Sequence, residues 1–317
     1  MRLGQDKFFF AFDKNNPPAL RVTAPCRLTI ESGDALCGQV TGEDERLESL
    51  DFARCNPATG PVYVEGAEAG DALRVRVTAL RLAEAGFTMT IPGTGLLPDQ
   101  VKGKVVFCPV RGDKVLFKGL ELPLRPMIGV IGVAPADEAV PCGTPGAHGG
   151  NMDTTGIAPG CDLYLPVNVP GALFGLGDLH SVMGDGEVCV TGVEITGEVD
   201  LELELFKGMT LPCPLLKSGG ELSFLASAPT IDEAIEMSVK YMHALVMKES
   251  GLDLDETLML MSLCGQARIS QLVDPLKTAR FCMPLDVLRE LGVDGKLCSE
   301  ERGLEGVPRA FTHLGTK

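Results

Sequence analysis

Residues 199–205 read VDLELEL, four apolar side chains alternating with three acidic ones. A period of two places successive side chains on opposite faces of an extended strand, so one face is buried and the other meets water. Working outward, short runs rich in β-branched residues recur at 20–22, 27–30, 61–64, 72–82, 104–110, 126–133, 162–169, 187–195 and 198–206. Gly, Pro and Asp punctuate them every 8 to 15 residues, a spacing that predicts an all-β sandwich or barrel.

The pattern changes near residue 229. Thr230 followed three residues later by Glu233 has the chemistry of a capping box, and apolar residues then recur at helical spacing over 234–247, ending near Gly251. A second helix over 255–262, strands over 267–273 and 280–283, and a helix over 284–291 follow. The expected organisation is a β-sandwich core over 1–228 that carries the chemistry. A smaller α+β element over 229–317 packs on it, with no flexible linker between them.

The chain has 317 residues, 45% hydrophobic and 22% charged, which fits a globular protein with a sizeable core. Lys+Arg 28 against Asp+Glu 43 leaves a net charge of −15, the wrong sign for nucleic acid or an anionic membrane surface. The apolar patch FFFAF near the N-terminus is too short for a secretory signal, and no run approaches the roughly 18 apolar residues of a membrane helix. Eleven cysteines, odd in number and without CxxC pairs, read as buried thiols of a reducing cytoplasm.

Two stretches concentrate chemistry-bearing side chains. GDLHSVMGDGEV, 177–188, holds Asp178, His180, Asp185 and Glu187 among small residues. On strands, the i, i+2 pairs Asp178/His180 and Asp185/Glu187 each share a face, and the intervening SVMG is long enough to bring the pairs together. Carboxylates with one imidazole suit zinc, calcium or manganese, while Asp and Gly in such density also make an ordinary turn. Upstream, residues 146–156, GAHGGNMDTTG, place His148, Asn151 and Asp153 among glycines that let a backbone approach a ligand closely. A weaker third candidate, ESGDA at 31–35, contains Asp34 and also reads as a plain turn. His243 and His313 read as structural or exposed. There is no GxSxG, no P-loop and no GxGxxG after a strand, and with no Trp and three Tyr the chain lacks stacking platforms for sugars or bases.

HGGNMD (148–153), DLYLPV (162–167), PGALF (170–174), GDLH (177–180) and GDGE (184–187) together closely resemble the acetamidase/formamidase family. GDALCGQ (33–39), NPATGPVYVEGA (56–67) and RPMIGVIG (125–132) resemble its flanking motifs, so the similarity runs over roughly 15–290. The resemblance implies a jelly-roll-like β-sandwich, hydrolysis of short-chain linear amides to carboxylate and ammonia, and cytoplasmic homo-oligomers, dimers or larger. It also implies a divalent metal, zinc before calcium. On that expectation Asp34, His148, Asp153, Asp178 and His180 form the pool of metal ligands. Glu187 or Asp185 is the general base, and Asn151 holds the oxyanion with backbone N–H groups. Two other readings stay open. One is a non-catalytic calcium-binding jelly-roll module. The other is a cysteine-nucleophile amidase using Cys37, Cys142 or Cys161, for which no activating neighbour is evident.

Overall fold

In the computed structural model, which describes residues 1–42, 47 and 50–293, the strand Gly197–Phe206 shows the alternation its sequence requires. Val199, Leu201 and Leu203 are buried; Asp200, Glu202 and Glu204 face outward and pair with Arg81, Arg27 and Arg74. Arginines on neighbouring strands thus neutralise the acidic face that VDLELEL would otherwise present to itself.

This strand lies inside a nine-stranded sheet. Its order is Arg2–Leu3, Cys26–Ser32, Gly197–Phe206, Ala72–Leu82, Asp162–Pro166, Leu215–Ser218, Glu221–Ala228, Lys277–Pro284 and Gln266–Gln271. An eleven-stranded sheet packs against it. Its spine runs from Ala85–Thr90 through Glu194–Ile195 and Phe174–His180 to Met127–Gly132 and Gly149–Asn151, with Ala58–Val64 also pairing Phe174–His180. Leu28, Val75 and Leu201 of one sheet meet Val62, Ile128 and Leu176 of the other in one apolar core, so the protein is mainly β and a sandwich.

Three helices follow. Helix α1, Ile231–Ser250, starts at the capping box of Thr230 and Glu233 and ends at Gly251 with φ +77°, the left-handed conformation glycine adopts without steric cost. Helix α2 spans Leu254–Cys264 and α3 spans Leu285–Glu290. Met242, Leu245 and Val246 of α1 pack on Phe224, Phe281 and Met283 of the nine-stranded sheet. The boundary expected at 228/229 therefore falls inside a continuous sheet, since Glu221–Ala228 pairs along its length with Lys277–Pro284. The C-terminal element contributes two strands to this sheet and packs α1 against it.

One expected strand is mostly absent. Of 187–195 only Glu194–Ile195 is strand, because Glu187 (φ +46°) and Val190 (φ +79°) are in the left-handed region and break the extended path. No helix is long and apolar enough to cross a membrane among the described residues. The cysteines described are free thiols. His313 and the tail beyond 293 lie outside the described residues.

Candidate active site

Strand Phe174–His180 sits at the middle of the eleven-stranded sheet and delivers Asp178 and His180. Its ladder to Met127–Gly132 pairs Leu179 with Ile128 and Gly177 with Val130 but skips Asp178 and Gly129. Asp178 takes φ +55° at that gap, and the carbonyl of Gly129 turns to accept from the N–H groups of Met152 (3.2 Å) and Asp153 (3.4 Å). The interruption brings Asp153 beside Asp178. A methyl group on Gly129 would lie 2.5 Å from Asp153 Oδ1 and 2.8 Å from Asp178 Oδ2, so only glycine leaves room for both carboxylates.

Across the other side of the strand His180 is paired with Glu194, whose Oε1 lies 3.1 Å from His180 Nε2. Asp178 Oδ1 is 3.4 Å and Glu187 Oε1 3.9 Å from the same nitrogen, and Asp153 Oδ1 is 3.9 Å from Nδ1. Two sets of donors thus converge on the imidazole: Asp153, His180 and Glu187, and Asp178, His180 and Glu194, with the donor atoms of each set within 4.8 Å of one another. All five side chains are buried. Asp274, from the loop between Gln266–Gln271 and Lys277–Pro284, lines the same cavity and faces Asp153.

The electrostatics follow from too many buried acids around one base. Burial alone would lower His180, but the negative charges of Glu194 and Asp178 overcome it and raise the imidazole well above its usual value. Burial would raise Asp178, yet His180 holds it below the carboxylate range. The remaining acids go the other way. Burial, then Asp178, pushes Asp153 up to about 7, and burial, then Asp178 against the pull of His180, pushes Glu194 up to about 8. Burial and Asp153 raise both Glu187 and Asp274 well above the ordinary range.

Although His180 Nε2 lies 3.1 Å from Glu194 Oε1, neither ring nitrogen makes a well-aligned hydrogen bond, nor does either oxygen of Asp153, Asp178 Oδ1, Glu194 Oε2 or Asp274 Oδ2. Buried polar atoms are ordinarily paired, and leaving one unpaired costs about 1–3 kcal/mol. Oxygen donors with one imidazole nitrogen, facing one another and unpaired, are the donor set a divalent cation takes. Backbone strain gathers at the same place. Asn56, Asp153, Asp178 and Glu187 all have positive φ (+52°, +39°, +55°, +46°), a conformation that costs ~1 kcal/mol each and concentrates at functional sites.

Above the cluster lies a cavity of about 160 Å³ whose polar floor includes Asp178, Glu187, Glu194, Asn56 and Asn151. Asn56 Nδ2 donates to Asp178 Oδ2 at 3.4 Å, and Asn151 is buried with its Oδ1 unpartnered.

The structure assembles four of the expected residues, Asp153, Asp178, His180 and Glu187, and sets Asn151 at the cavity. Three others are placed elsewhere. The carboxylate of Asp34 accepts from the backbone N–H groups of Leu36 (2.9 Å) and Gly38 (3.0 Å), closing the turn that the plainer reading of ESGDA describes, beside a different cavity. His148 belongs to neither donor set. Its ring packs edge-on to Phe12 at 5.3 Å, and burial lowers it to about 4, so it stays neutral. Asp185 turns away from Glu187 instead of sharing a face with it, because Gly186 (φ +100°) intervenes. It pairs with the buried Arg280 at 3.0 Å and accepts from Thr155 Oγ1 at 2.7 Å. Glu194, Asp274 and Asn56 were not anticipated. Glu194 carried one signal, a lone acid between Val193 and Ile195 in an apolar run.

Residues 5–142 and 136–290 match the acetamidase/formamidase family model. The structure superposes on an acetamidase from Bacillus halodurans with a TM-score of 0.91 at 43% identity, covering 92% of this chain and 100% of that one. It superposes on a predicted acetamidase/formamidase from Thermoanaerobacter tengcongensis with a TM-score of 0.90 at 45% identity, covering 92% and 98%. The acetamidase of Mycolicibacterium smegmatis is 26% identical over 260 residues, 61% of this chain and 64% of that protein. The alignments span about three fifths of the length of the curated relatives.

Proposed function

The chain belongs to the acetamidase/formamidase family, and on that premise we propose that it hydrolyses short-chain linear amides at the His180 cluster. The observation that carries this reading is the convergence of unpaired buried donors on His180 at the floor of a small cavity. A divalent cation there, zinc before calcium, would supply Lewis acidity toward an amide carbonyl and toward water. Asp178, His180 and Glu194 are the residues to hold it, with Asp153 and Asp274 completing the negative surround.

Hydrolysis adds water to the carbonyl carbon, breaks the C–N bond and needs a proton on the departing nitrogen. Glu187 is the group to move it, since it lines the cavity with its Oε1 3.9 Å from His180 Nε2. Asp185, occupied by Arg280, does not compete for that role. The side-chain amides of Asn56 and Asn151 face the cavity and orient the substrate; an oxyanion donor in other hydrolases contributes roughly 3 kcal/mol. The reading places the enzyme in the cytoplasm, as its free thiols suit a reducing compartment. It makes the chain a homo-oligomer, for which the exposed apolar side chains of α2 (Leu254, Leu258, Met259, Leu263) offer a surface.

The test is ammonia release from formamide and acetamide by purified protein whose metal content is measured by elemental analysis. Turnover with a stoichiometric divalent ion supports the reading. A fully metallated protein that releases no ammonia, and instead only binds calcium, overturns it in favour of a non-catalytic module.

A further inference from the structure

The cavity over the cluster has a second, apolar side. Leu36, Met89, Ile91 and Val190 wall it opposite the acids, with Phe52 half exposed at the lip. Met89 is buried and belongs to Ala85–Thr90, the strand paired with Glu194–Ile195, so at Met89 and Glu194 the wall and the floor stand on one sheet. Thr191 Oγ1 accepts from the Met89 N–H at 3.0 Å and donates to the Met89 C=O at 3.1 Å, which fixes the strand end from which Met89 and Ile91 project. Met89 thus stands on the sheet, while Leu36, Ile91 and Val190 line the cavity from the turns and loops beside it.

The cavity, at about 160 Å³, is near half of the ~300 Å³ at which pockets for drug-sized ligands begin. An amide whose carbonyl carbon reaches the floor has only the apolar wall to receive its acyl chain. Resting on the amidase reading, we propose that Met89 and Ile91 are specificity-determining residues that act on acyl-chain length. As apolar wall residues of so small a cavity, they set how steeply turnover falls as the acyl chain lengthens. The apolar wall also disfavours acyl chains that carry a carboxylate of their own, because such a charge would lose its water there without gaining a partner.

The experiment compares kcat/KM for acetamide, butyramide and succinamate in the native metallated enzyme and in the Met89→Ala and Ile91→Ala variants. A methylene that must be accommodated or refused by an apolar pocket is worth roughly 10- to 200-fold in kcat/KM. The native enzyme is expected to favour acetamide over butyramide at least tenfold. Each variant narrows that ratio by tenfold or more, chiefly through KM for butyramide, and succinamate stays unreactive throughout. Ile91 is only half buried, so its variant tests the proposal even if Met89→Ala fails to fold. An active native enzyme whose acetamide/butyramide ratio is the same in the folded variants overturns the proposal and leaves the amidase reading standing. So does rapid succinamate turnover. A native enzyme inert toward all three amides overturns the amidase reading itself.

Discussion

His180 and Glu194 face each other across paired strands, with Nε2 3.1 Å from Oε1, and both are buried. Neither reaches water, so each depends on the other, or on a cation between them, for its charge. His180→Ala is expected to lower kcat at least 100-fold while circular dichroism and urea unfolding still report a folded chain. A loss confined to KM, with kcat unchanged, would remove His180 from the chemistry.

Metal removal follows the same electrostatics. Exhaustive chelation should abolish ammonia release, and zinc or calcium should restore it. Stripped protein should also melt at lower temperature, because the acids around His180 then meet without a compensating cation. Ligand binding at 100 times Kd contributes about 2.7 kcal/mol. Calorimetric melting with and without added ion checks this, and full activity in demonstrably metal-free protein would contradict it.

Gly129→Ala places a methyl group against Asp153 and Asp178 in the middle of the sheet. Moving those carboxylates by even 1 Å disturbs every donor around His180, and misplacement of that size can cost 100-fold in rate. A loss of that order is expected, with divalent-ion binding weakened in parallel as measured by equilibrium dialysis. Unaltered ion affinity would show that the strand gap has no part in forming the site.

The pair Asp185–Arg280 ties the Glu187 loop to the C-terminal strands. Gly186 exchanges backbone hydrogen bonds with Ser270 and Leu272 in the same place, and Arg280 also reaches Ser270 Oγ at 2.8 Å. Asp185→Asn should cost little stability, about 1 kcal/mol or less, since its side chain is 42% exposed. It should nonetheless lower kcat several-fold, because Glu187 is two residues away. Arg280→Met should cost more, about 2 kcal/mol, by leaving buried acceptors unpaired. Paired urea-unfolding and steady-state measurements distinguish the two.

Acid sensitivity is predicted on the outer face as well. Arg81, then Thr29, holds Asp200 at about 2, below its ordinary value of 3.8. A carboxylate lowered by folding stabilises the native state above its unfolded pKa, and the benefit fades as pH falls from about 4 toward 2. Between pH 5 and pH 3 the native protein should therefore lose more stability than Asp200→Asn does. The difference is small because the pair is exposed, and equal losses would show that the pair contributes nothing.

Most of the framework was legible because local signals agreed with the fold. VDLELEL alternates as its strand does, 72–82 is strand over its whole expected length, and Thr230, Glu233 and Gly251 bound α1 where capping chemistry puts them. The site was legible only where acids cluster in sequence. Glu194 and Asp274 stand alone between apolar neighbours or in a turn, and only the pairing of strands places them beside His180. Asp34 and Asp185 show the converse. Aspartate beside glycine is equally the residue of a turn or of an ion pair, and composition does not distinguish those from a ligand. The segment 187–195 misled because its β-branched residues favour strand, whereas the geometry that aims Glu187 at His180 requires positive φ.

Asp274 reaches the cavity from the loop between the last two strands, Gln266–Gln271 and Lys277–Pro284. The other residues lining that cavity begin as much as 239 residues earlier, at Ala35 (274 − 35 = 239), so the lining closes only when a late hairpin zips onto a sheet begun near the N-terminus. Synthesis at about 5–20 residues per second takes roughly 5–19 s to pass from His180 to Asp274 (274 − 180 = 94 residues), an interval in which Asp178 and His180 are made and their last acidic neighbour is still untranslated. A ribosome stalled before residue 274 therefore holds a chain with every other lining residue of the cavity made and its closing carboxylate missing.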